Sequence, residues 1–120
     1  MNYPNNVVSI HPYFKAKPGQ LAACKASLSA FIEKTRSEKD NLFYEFTING
    51  DEIFCREAYV GAAGVLTHLA SVGALLNELF KIATVTRLEV HGPAAELDQL
   101  REPLGQMNPA WFVLEAGVRR

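Results

Sequence analysis

The chain has 120 residues, of which 21% are charged, and it carries a net charge of −1 with a pI of about 6.3. Such a balance, without a basic stretch, lacks the electrostatic footprint of a protein that binds nucleic acid or an anionic membrane. The N-terminus lacks the basic flank and apolar run of a signal peptide, so we expect a cytoplasmic protein. The two cysteines, Cys24 and Cys55, form no C-x-x-C pair and are interpreted as buried free thiols.

The first third of the sequence predicts a strand followed by a helix. Residues 7–15 alternate between apolar and polar side chains, as a strand does, and Pro12 should cause a bulge or an early end because proline cannot donate to a sheet ladder. An apolar stripe at helical spacing then predicts a helix from about Gln20 to Ser37. The charged segment 37–41 that follows is typical of a solvated loop.

A hairpin is predicted around Asn49-Gly50-Asp51, which is a strong turn signal. With Gly50 and Asp51 as the loop, Glu45 faces Arg56 across the strands, a favourable charge pair. The same register makes four further cross-strand pairs: Ile48 with Ile53, Phe46 with Cys55, Tyr44 with Glu57, and Leu42 with Tyr59. Both faces of this hairpin carry bulky apolar side chains, so helices should cover one face and a second subunit the other.

Residues 58–77 contain no Asp, Glu, Lys or Arg. A membrane span needs roughly 20 apolar residues, but this stretch holds three glycines together with Thr67, His68 and Ser71, and no Lys/Arg cluster flanks it. We therefore predict a protein-buried helix that begins near Gly61, is broken or bent at Gly73, and turns its polar residues toward a pocket.

The remaining residues predict a strand at 84–91, a short helix after Pro93 and a last strand beginning near Ala110. The order is β-α-β-β-α-β followed by α-β, which is a ferredoxin-like α+β fold with a C-terminal extension. We expect one domain over residues 1–120, with a core at 7–91 and the extension at 92–120.

The candidate chemistry lies in one cluster, because the sequence shows no zinc-type spacing of His or Cys, no phosphate-binding glycine loop and no serine-hydrolase elbow. Tyr44, Glu57 and Tyr59 share one sheet face, and His68 lies on the helix that leaves this sheet. A buried glutamate must be paired or protonated, and histidine is the usual proton shuttle at neutral pH. The cluster is therefore either a catalytic site or a polar network whose members satisfy one another in the core.

Three motifs, Asn41-Leu42-x-Tyr44-Glu45, Phe54-x-x-Glu57-x-Tyr59 and His68-Leu-Ala-Ser71, resemble the antibiotic biosynthesis monooxygenase family of dimeric α+β barrels. The resemblance covers roughly residues 7–91. It implies a homodimer and a cofactor-independent monooxygenase that acts on a small aromatic, phenolic or quinol substrate without metal or flavin. It further implies that five residues line the pocket between sheet and helices: Asn41, Tyr44, Glu57, Tyr59 and His68.

The resemblance also implies roles for these residues. His68 would be the base, Tyr44 and Tyr59 would hold substrate oxygens, and Glu57 would orient or tune a neighbour. The apolar lining, expected from Phe46, Val65 and Leu69, would exclude water. Two alternatives stay open: a non-catalytic ligand-binding or stress-related dimer, and an isomerase or decarboxylating enzyme on the same scaffold.

Overall fold

The structure, a computed structural model, describes residues 4–120. The elements follow the predicted order. They are β1 (Val7–Ala16), α1 (Leu21–Arg36), β2 (Asn41–Asn49), β3 (Glu52–Val60), α2 (Gly61–Leu79), β4 (Ala83–Gly92), α3 (Ala94–Leu100), a short 3-10 helix (Gly105–Met107) and β5 (Ala110–Val113).

The strands form one five-stranded sheet in the order β2-β3-β1-β4-β5. The first four strands are antiparallel to their neighbours, in the arrangement of a ferredoxin-like fold, and β5 adds to the edge parallel to β4. The predicted α+β fold class is therefore confirmed, and the C-terminal extension contributes a helix and the fifth strand.

The predicted hairpin register is confirmed through most of its length. Tyr44 pairs with Glu57 and Glu45 pairs with Arg56, whose side chains approach to 3.8 Å at the surface. The predicted pairing of Leu42 with Tyr59 is wrong, since Tyr59 pairs with Asn41. The ladder shifts between Asn41 and Phe43, so Leu42 forms a bulge that a turn-based register does not anticipate.

Pro12 does not end the first strand, because β1 continues to Ala16. The alternative prediction of a bulge is close to what the structure shows: the pairing with β4 shifts between Tyr13 and Phe14. An interior strand tolerates the proline here because the ladder is locally irregular.

The predicted break at Gly73 is wrong, since α2 is continuous from Gly61 to Leu79. A glycine in a helix interior costs only about 1 kcal/mol relative to alanine, and the burial of Val65, Val72 and Leu79 outweighs that cost. By length and composition alone this helix could cross a membrane, with a mean hydropathy of 1.2. Its buried residues pack in the core clusters of the domain, and the core helix of a globular domain can have the same length and apolar composition as a membrane span.

The core lies between the sheet and the helices. Val8 and Ile10 of β1 pack with Val65 of α2 and with Leu97 and Leu100 of α3. A second cluster joins β1 to α1 and the C-terminal half of α2; it contains Phe14, Phe31, Ile53, Val72 and Leu79. The site therefore forms beneath α2, which contacts both clusters.

The start of α2 depends on close packing around Gly61. This glycine has φ +72, and a Cβ atom there would lie 2.9 Å from Asn6 Nδ2 and 3.0 Å from Glu96 Oε1. Glu96 Oε1 also accepts a hydrogen bond of 2.8 Å from the backbone N–H of Ala62. A carboxylate at this helix N-terminus satisfies an otherwise free donor and favours the helix dipole.

We predict that Gly61→Ala lowers the free energy of unfolding by about 1 to 3 kcal/mol, because the left-handed backbone and the crowded Cβ position both oppose a side chain. Gly73→Ala is the matched control, since nothing lies within 4 Å of its Cβ position and it is in a helix interior. That control should leave stability unchanged or raise it by up to about 1 kcal/mol. Urea denaturation of the two variants checks the prediction, and equal effects would contradict it.

Candidate active site

The site forms because α2 leaves β3 without a loop, at Val60 and Gly61, and folds back over the sheet. His68 is about 10 Å along the helix axis from Gly61, and it lies over the row of aromatic side chains that β2 and β3 present. Its ring centroid is 5.0 Å from that of Tyr44 and 5.0 Å from that of Tyr59. His68 is 4% exposed, so its ring nitrogens must find partners inside the protein.

One partner is Glu38, in the short segment that connects α1 to β2. Both carboxylate oxygens of Glu38 lie 3.1 Å from His68 Nδ1, and its side chain is 7% exposed. A carboxylate only accepts, so Nδ1 carries the proton and donates it. This fixes the tautomer in which the lone pair of Nε2 is free.

The free nitrogen faces Glu57. His68 Nε2 lies 3.7 Å from Glu57 Oε1, which is too long for a hydrogen bond and leaves the pair open to a substrate atom. Tyr59 Oη donates to the same Oε1 at 2.6 Å. Glu57 is therefore held in place by one strong donor while its carboxyl group stays next to the imidazole.

Burial changes the protonation of both groups. Removal from water raises the pKa of Glu57 to about 7, against the opposing hydrogen bonds from Tyr59 and Cys55. Burial also lowers the pKa of His68, although the nearby Glu38 charge and hydrogen bond act in the other direction. Near neutral pH the site therefore pairs a protonated or half-protonated carboxyl group with a neutral imidazole.

The remaining polar side chains at the site stay neutral. Burial raises the pKa of the Tyr44 and Tyr59 hydroxyls and of the Cys55 thiol, and the charge of Glu57 adds to each shift. Tyr44 and Cys55 can therefore act as hydrogen-bonding groups but not as anions. The acid–base capacity of the cluster lies with Glu57 and His68.

An inner cavity extends from this cluster between α2 and the sheet. Its volume is about 60 Å³, which is small beside the roughly 300–1,000 Å³ of a usual ligand pocket. Tyr44, Glu57 and His68 line it, together with Phe46, Val65 and Leu69 of the predicted apolar lining. The structure thus brings six of the eight predicted site residues to one cavity.

The other two predicted residues lie elsewhere. Tyr59 is fully buried and does not line the cavity; it contacts the cluster through its hydroxyl hydrogen bond to Glu57 and through its ring, whose centroid lies 5.0 Å from that of His68. Asn41 lines a separate, polar outer depression with Arg36, Glu38 and Tyr44, and its amide donates to the Phe43 carbonyl at 3.0 Å. The geometry therefore allows Tyr59 to orient the carboxyl group of Glu57 and places Asn41 outside the inner cavity.

Sequence reasoning missed Glu38, which we had interpreted as part of a solvated loop. Nothing local distinguishes it from Lys39 and Asp40. The available signal was indirect: a buried histidine whose one nitrogen faces the cavity needs a partner for the other, and carboxylates commonly fill that place. Leu104 and Met107 of the extension also line the cavity and were not predicted to do so.

The arrangement suits general acid–base catalysis. Nε2 of His68 can accept a proton, Glu57 can donate one, and the apolar walls strengthen both interactions by excluding water. Among residues 4–120, no group of three or more His, Cys, Asp or Glu side chains is placed to hold a metal ion.

Comparisons with known proteins place this geometry in a family. No family model matches the chain, and no curated protein does so closely. The crystal structure of MupZ from Pseudomonas fluorescens is 44% identical, with a TM-score of 0.92, over 97% of this chain and 96% of that one. The chain belongs to the MupZ family.

More distant structures share the fold alone. Rv0793 from Mycobacterium tuberculosis is 22% identical over 72% of this chain and 94% of its own, with a TM-score of 0.64. A protein of Chloroflexus aurantiacus, provisionally described as an antibiotic biosynthesis monooxygenase, is 19% identical over 73% and 93%, with a TM-score of 0.60. The MupZ match spans nearly the whole chain, whereas these two leave out about a quarter of it.

We predict that Glu57 makes stability depend on pH. Its folded pKa, about 7, is above the ordinary value of 4.5, so between these values the folded state holds a proton that the unfolded state has lost. Stability contributed by the protonated carboxyl group is complete below pH 4.5 and is lost as pH rises through about 7. The lowered pKa of His68 acts in the opposite direction below pH 6.5, so a variant comparison is needed to isolate Glu57.

Glu57→Gln mimics the protonated side chain and provides this comparison. Its free energy of unfolding should match that of wild type near pH 5 and exceed it by a few kcal/mol at pH 8. Chemical denaturation from pH 5 to pH 9 measures the difference. If the free energy of unfolding changed with pH in the same way in both proteins, that result would contradict the raised pKa of Glu57.

Proposed function

We propose that this protein is an enzyme that performs acid–base chemistry on a largely apolar small molecule, with His68 as the base and Glu57 as the acid. The observation that supports this most directly is the 3.7 Å approach of His68 Nε2 to a buried carboxyl group whose pKa is about 7. Two buried groups that face one cavity, and whose pKa values are both shifted in favour of the uncharged form, are typical of an active site.

The reaction we propose first is oxygenation of a phenolic or quinol substrate without metal or flavin, in a cytoplasmic enzyme. His68 would remove a substrate proton, and the resulting electron-rich anion would reduce oxygen directly. For a phenol, the O–H carbon and a ring C–H carbon both become C=O, one atom of O₂ stays on the product, and the other leaves as water with the two hydrogens of the O–H and C–H groups. The support is the resemblance of the sequence motifs to the antibiotic biosynthesis monooxygenase family and the matching fold.

A second reaction class is favoured by the protonated state of Glu57. A base and an acid that face the same cavity can remove a proton from one substrate atom and return one to another, with no net redox change. Isomerisation and decarboxylation belong to this class. Oxygen dependence separates the two classes, because only the first requires oxygen.

Glu38 has a positioning role in either reaction. By accepting from Nδ1 it keeps the lone pair of Nε2 directed at the cavity, and it stabilises the imidazolium that forms when Nε2 takes a proton. Tyr59 likewise has a positioning role, because its hydroxyl group donates to Glu57 Oε1 and so orients that carboxyl group.

We predict that His68→Gln lowers turnover by roughly a hundredfold or more while ligand affinity stays nearly unchanged. Glu38→Gln should lower turnover less, because Nδ1 keeps an acceptor but the imidazolium loses its counter-charge. Glu45→Gln, which also removes a carboxylate but from an exposed surface pair, is the control and should have no effect. The assay is oxygen uptake and substrate loss with a simple hydroquinone, in air and under nitrogen, using protein purified without added metal or flavin.

The wild-type pH profile supplies a further readout. Activity should rise as His68 becomes neutral above its lowered pKa and fall as Glu57 loses its proton through about 7. A His68→Gln variant that melts early yet keeps its turnover per molecule would make His68 structural. A probe that binds but is never consumed would favour the non-catalytic ligand-binding dimer.

We also propose that the protein is a homodimer that pairs through the outer sheet face. On that face the ring of Phe54 packs against that of Tyr13 in a tilted arrangement, with 4.6 Å between the centroids, and Phe43 and Phe112 are each 41% exposed. Aromatic side chains of this size on the uncovered side of a sheet are typical of an interaction surface.

We predict that Phe54→Asp dissociates this dimer or unfolds it, because a charge would be buried without a partner. Leu66→Asp, on α2 across the sheet from this face and 37% exposed, is the control and should leave the mass unchanged. Light scattering at micromolar concentration measures both variants. A monomeric wild type, or a Phe54→Asp variant that remains dimeric with its melting temperature intact, would contradict the proposal.

A further inference from the structure

The outer sheet face, which the homodimer proposed above would bury, carries a row of neighbouring rings. Four strands contribute one ring each: Phe54 from β3, His11 from β1, His91 from β4 and Phe112 from β5. The ring centroids of His11 and His91 are 4.4 Å apart, and those of His91 and Phe112 are also 4.4 Å apart. Phe54 lies 6.0 Å from His11. We call these four side chains the ring row, and its two imidazoles lie between two aromatic rings.

The sheet register brings these rings together. Phe112 pairs directly with His91. On β1, His91 pairs with Ser9, two residues before His11. His11 is therefore a diagonal neighbour of His91, at a separation that ring side chains can span. Both hydrophobic core clusters lie on the other side of the sheet, under the helices, so the ring row is on the face that the described helices leave uncovered.

The charged side chains of the strands balance one another on this face. Three acidic and three basic side chains point to it, and they form three neighbouring couples: Glu45 with Arg56, Glu52 with Lys15, and Glu89 with Arg87. While the histidines are neutral, these six side chains sum to no net charge. A second copy that presents the same face therefore meets no excess of like charge, which suits an isologous two-fold interface.

Protonation of the two imidazoles would end this balance. His11 Nε2 lies 2.8 Å from Ser9 Oγ, a neutral partner. His91 Nε2 lies 2.8 Å from Glu89 Oε1, but the same carboxylate also accepts from Arg87. Two charged imidazoles would thus add two positive charges to each copy. Because a two-fold interface pairs the same face with itself, it would hold four.

The surroundings of the pair already oppose its charging in a single copy. Burial and the nearby charge of His91 lower the pKa of His11, against the opposing charge of Glu89. The His91 side chain is still 37% exposed, so a second copy would remove water that now hydrates it and would raise the cost of a charge there. The other charged groups close to the pair are Arg56, level with His11 on β3, and Glu115, Arg119 and Arg120, which line the depression beside His91.

From this arrangement we infer that the contact between His11 and His91 makes the homodimer sensitive to pH, so that two copies associate through their outer sheet faces while these imidazoles are neutral and separate when they are protonated. This behaviour requires the homodimer proposed above. It is independent of the proposed acid–base function, since His68 and Glu57 lie on the other side of the sheet. The separate copy binds more protons than the paired copy, so association is strongest above the ordinary histidine pKa of about 6.5 and weakens as pH falls through it.

Sedimentation at pH 7.5 and pH 5.0, at constant ionic strength, measures the effect. If each copy must release one proton to associate, the Kd of the dimer should be about tenfold or more higher at pH 5.0. Circular dichroism at both pH values reports whether the chain stays folded. His11→Lys gives a readout that needs no acid, because its permanent charge should raise Kd by about tenfold or more already at pH 7.5.

Histidine variants show which groups sense the pH. His11→Gln and His91→Gln should each reduce the change in Kd between the two pH values, and the double variant should abolish it. His68→Gln is the matched control, because it removes the third histidine of the chain from the inner side of the sheet. It should keep the full change in Kd.

The possible results separate this inference from the homodimer itself. A wild type that is monomeric at both pH values would overturn both. A dimer whose Kd is the same at both pH values, or a folded His11→Lys variant that pairs as tightly as wild type at pH 7.5, would overturn the pH sensitivity and leave the dimer standing. A pH-dependent Kd that persists in the double variant, or disappears in His68→Gln, would assign the titration to other groups and also overturn it.

Discussion

The burial of Glu57 beneath α2 is the constraint on which the site depends. A carboxyl group removed from water must keep a proton or be given partners. The fold supplies two donors, Tyr59 and Cys55, each two residues away on the same strand, and a titratable neighbour, His68, on the helix above. Burial keeps this histidine neutral by lowering its pKa, against the opposing effect of Glu38, and the pKa of Glu57 is raised to about 7.

The local structure follows from this requirement. The direct passage from β3 to α2 at Gly61 brings His68 back over Glu57, and the crowded contacts of Gly61 with Asn6 and Glu96 fix the angle at which the helix leaves. The uncharged stretch of α2 then covers the cluster with apolar side chains. The same burial that raises the pKa of Glu57 also encloses the cavity that its side chain lines.

Much of this could be predicted from the sequence, where local rules determine the outcome. The Asn49-Gly50-Asp51 turn sets the hairpin register, and the register places Tyr44 opposite Glu57. The alternation of apolar and polar side chains in β1, and the absence of charged residues from most of α2, indicate which faces are buried. From these elements the order of strands and helices, and the meeting of Tyr44, Glu57 and His68, follow without tertiary information.

The parts that could not be predicted depend on packing between distant segments. Glu38 lies in a charged run and is buried only because α1 and α2 bring that run against His68. Gly73 keeps its helix because neighbouring residues pack on the sheet, which a propensity rule does not include. The lining of the cavity likewise could not be predicted from the sequence, since Leu104 and Met107 of the distant C-terminal extension contribute to it.

The central claim is that Glu57 holds a proton near neutral pH, and its carboxyl vibration tests this most directly. In infrared difference spectra of wild type minus Glu57→Gln, the C=O stretch of the protonated carboxyl group appears as a positive band at higher frequency than the amide C=O band of the introduced glutamine. The account predicts a protonated-carboxyl band at pH 6 that disappears as pH rises through about 7. A band already absent at pH 6, with the carboxylate titrating at the ordinary glutamate value near 4.5, would contradict it.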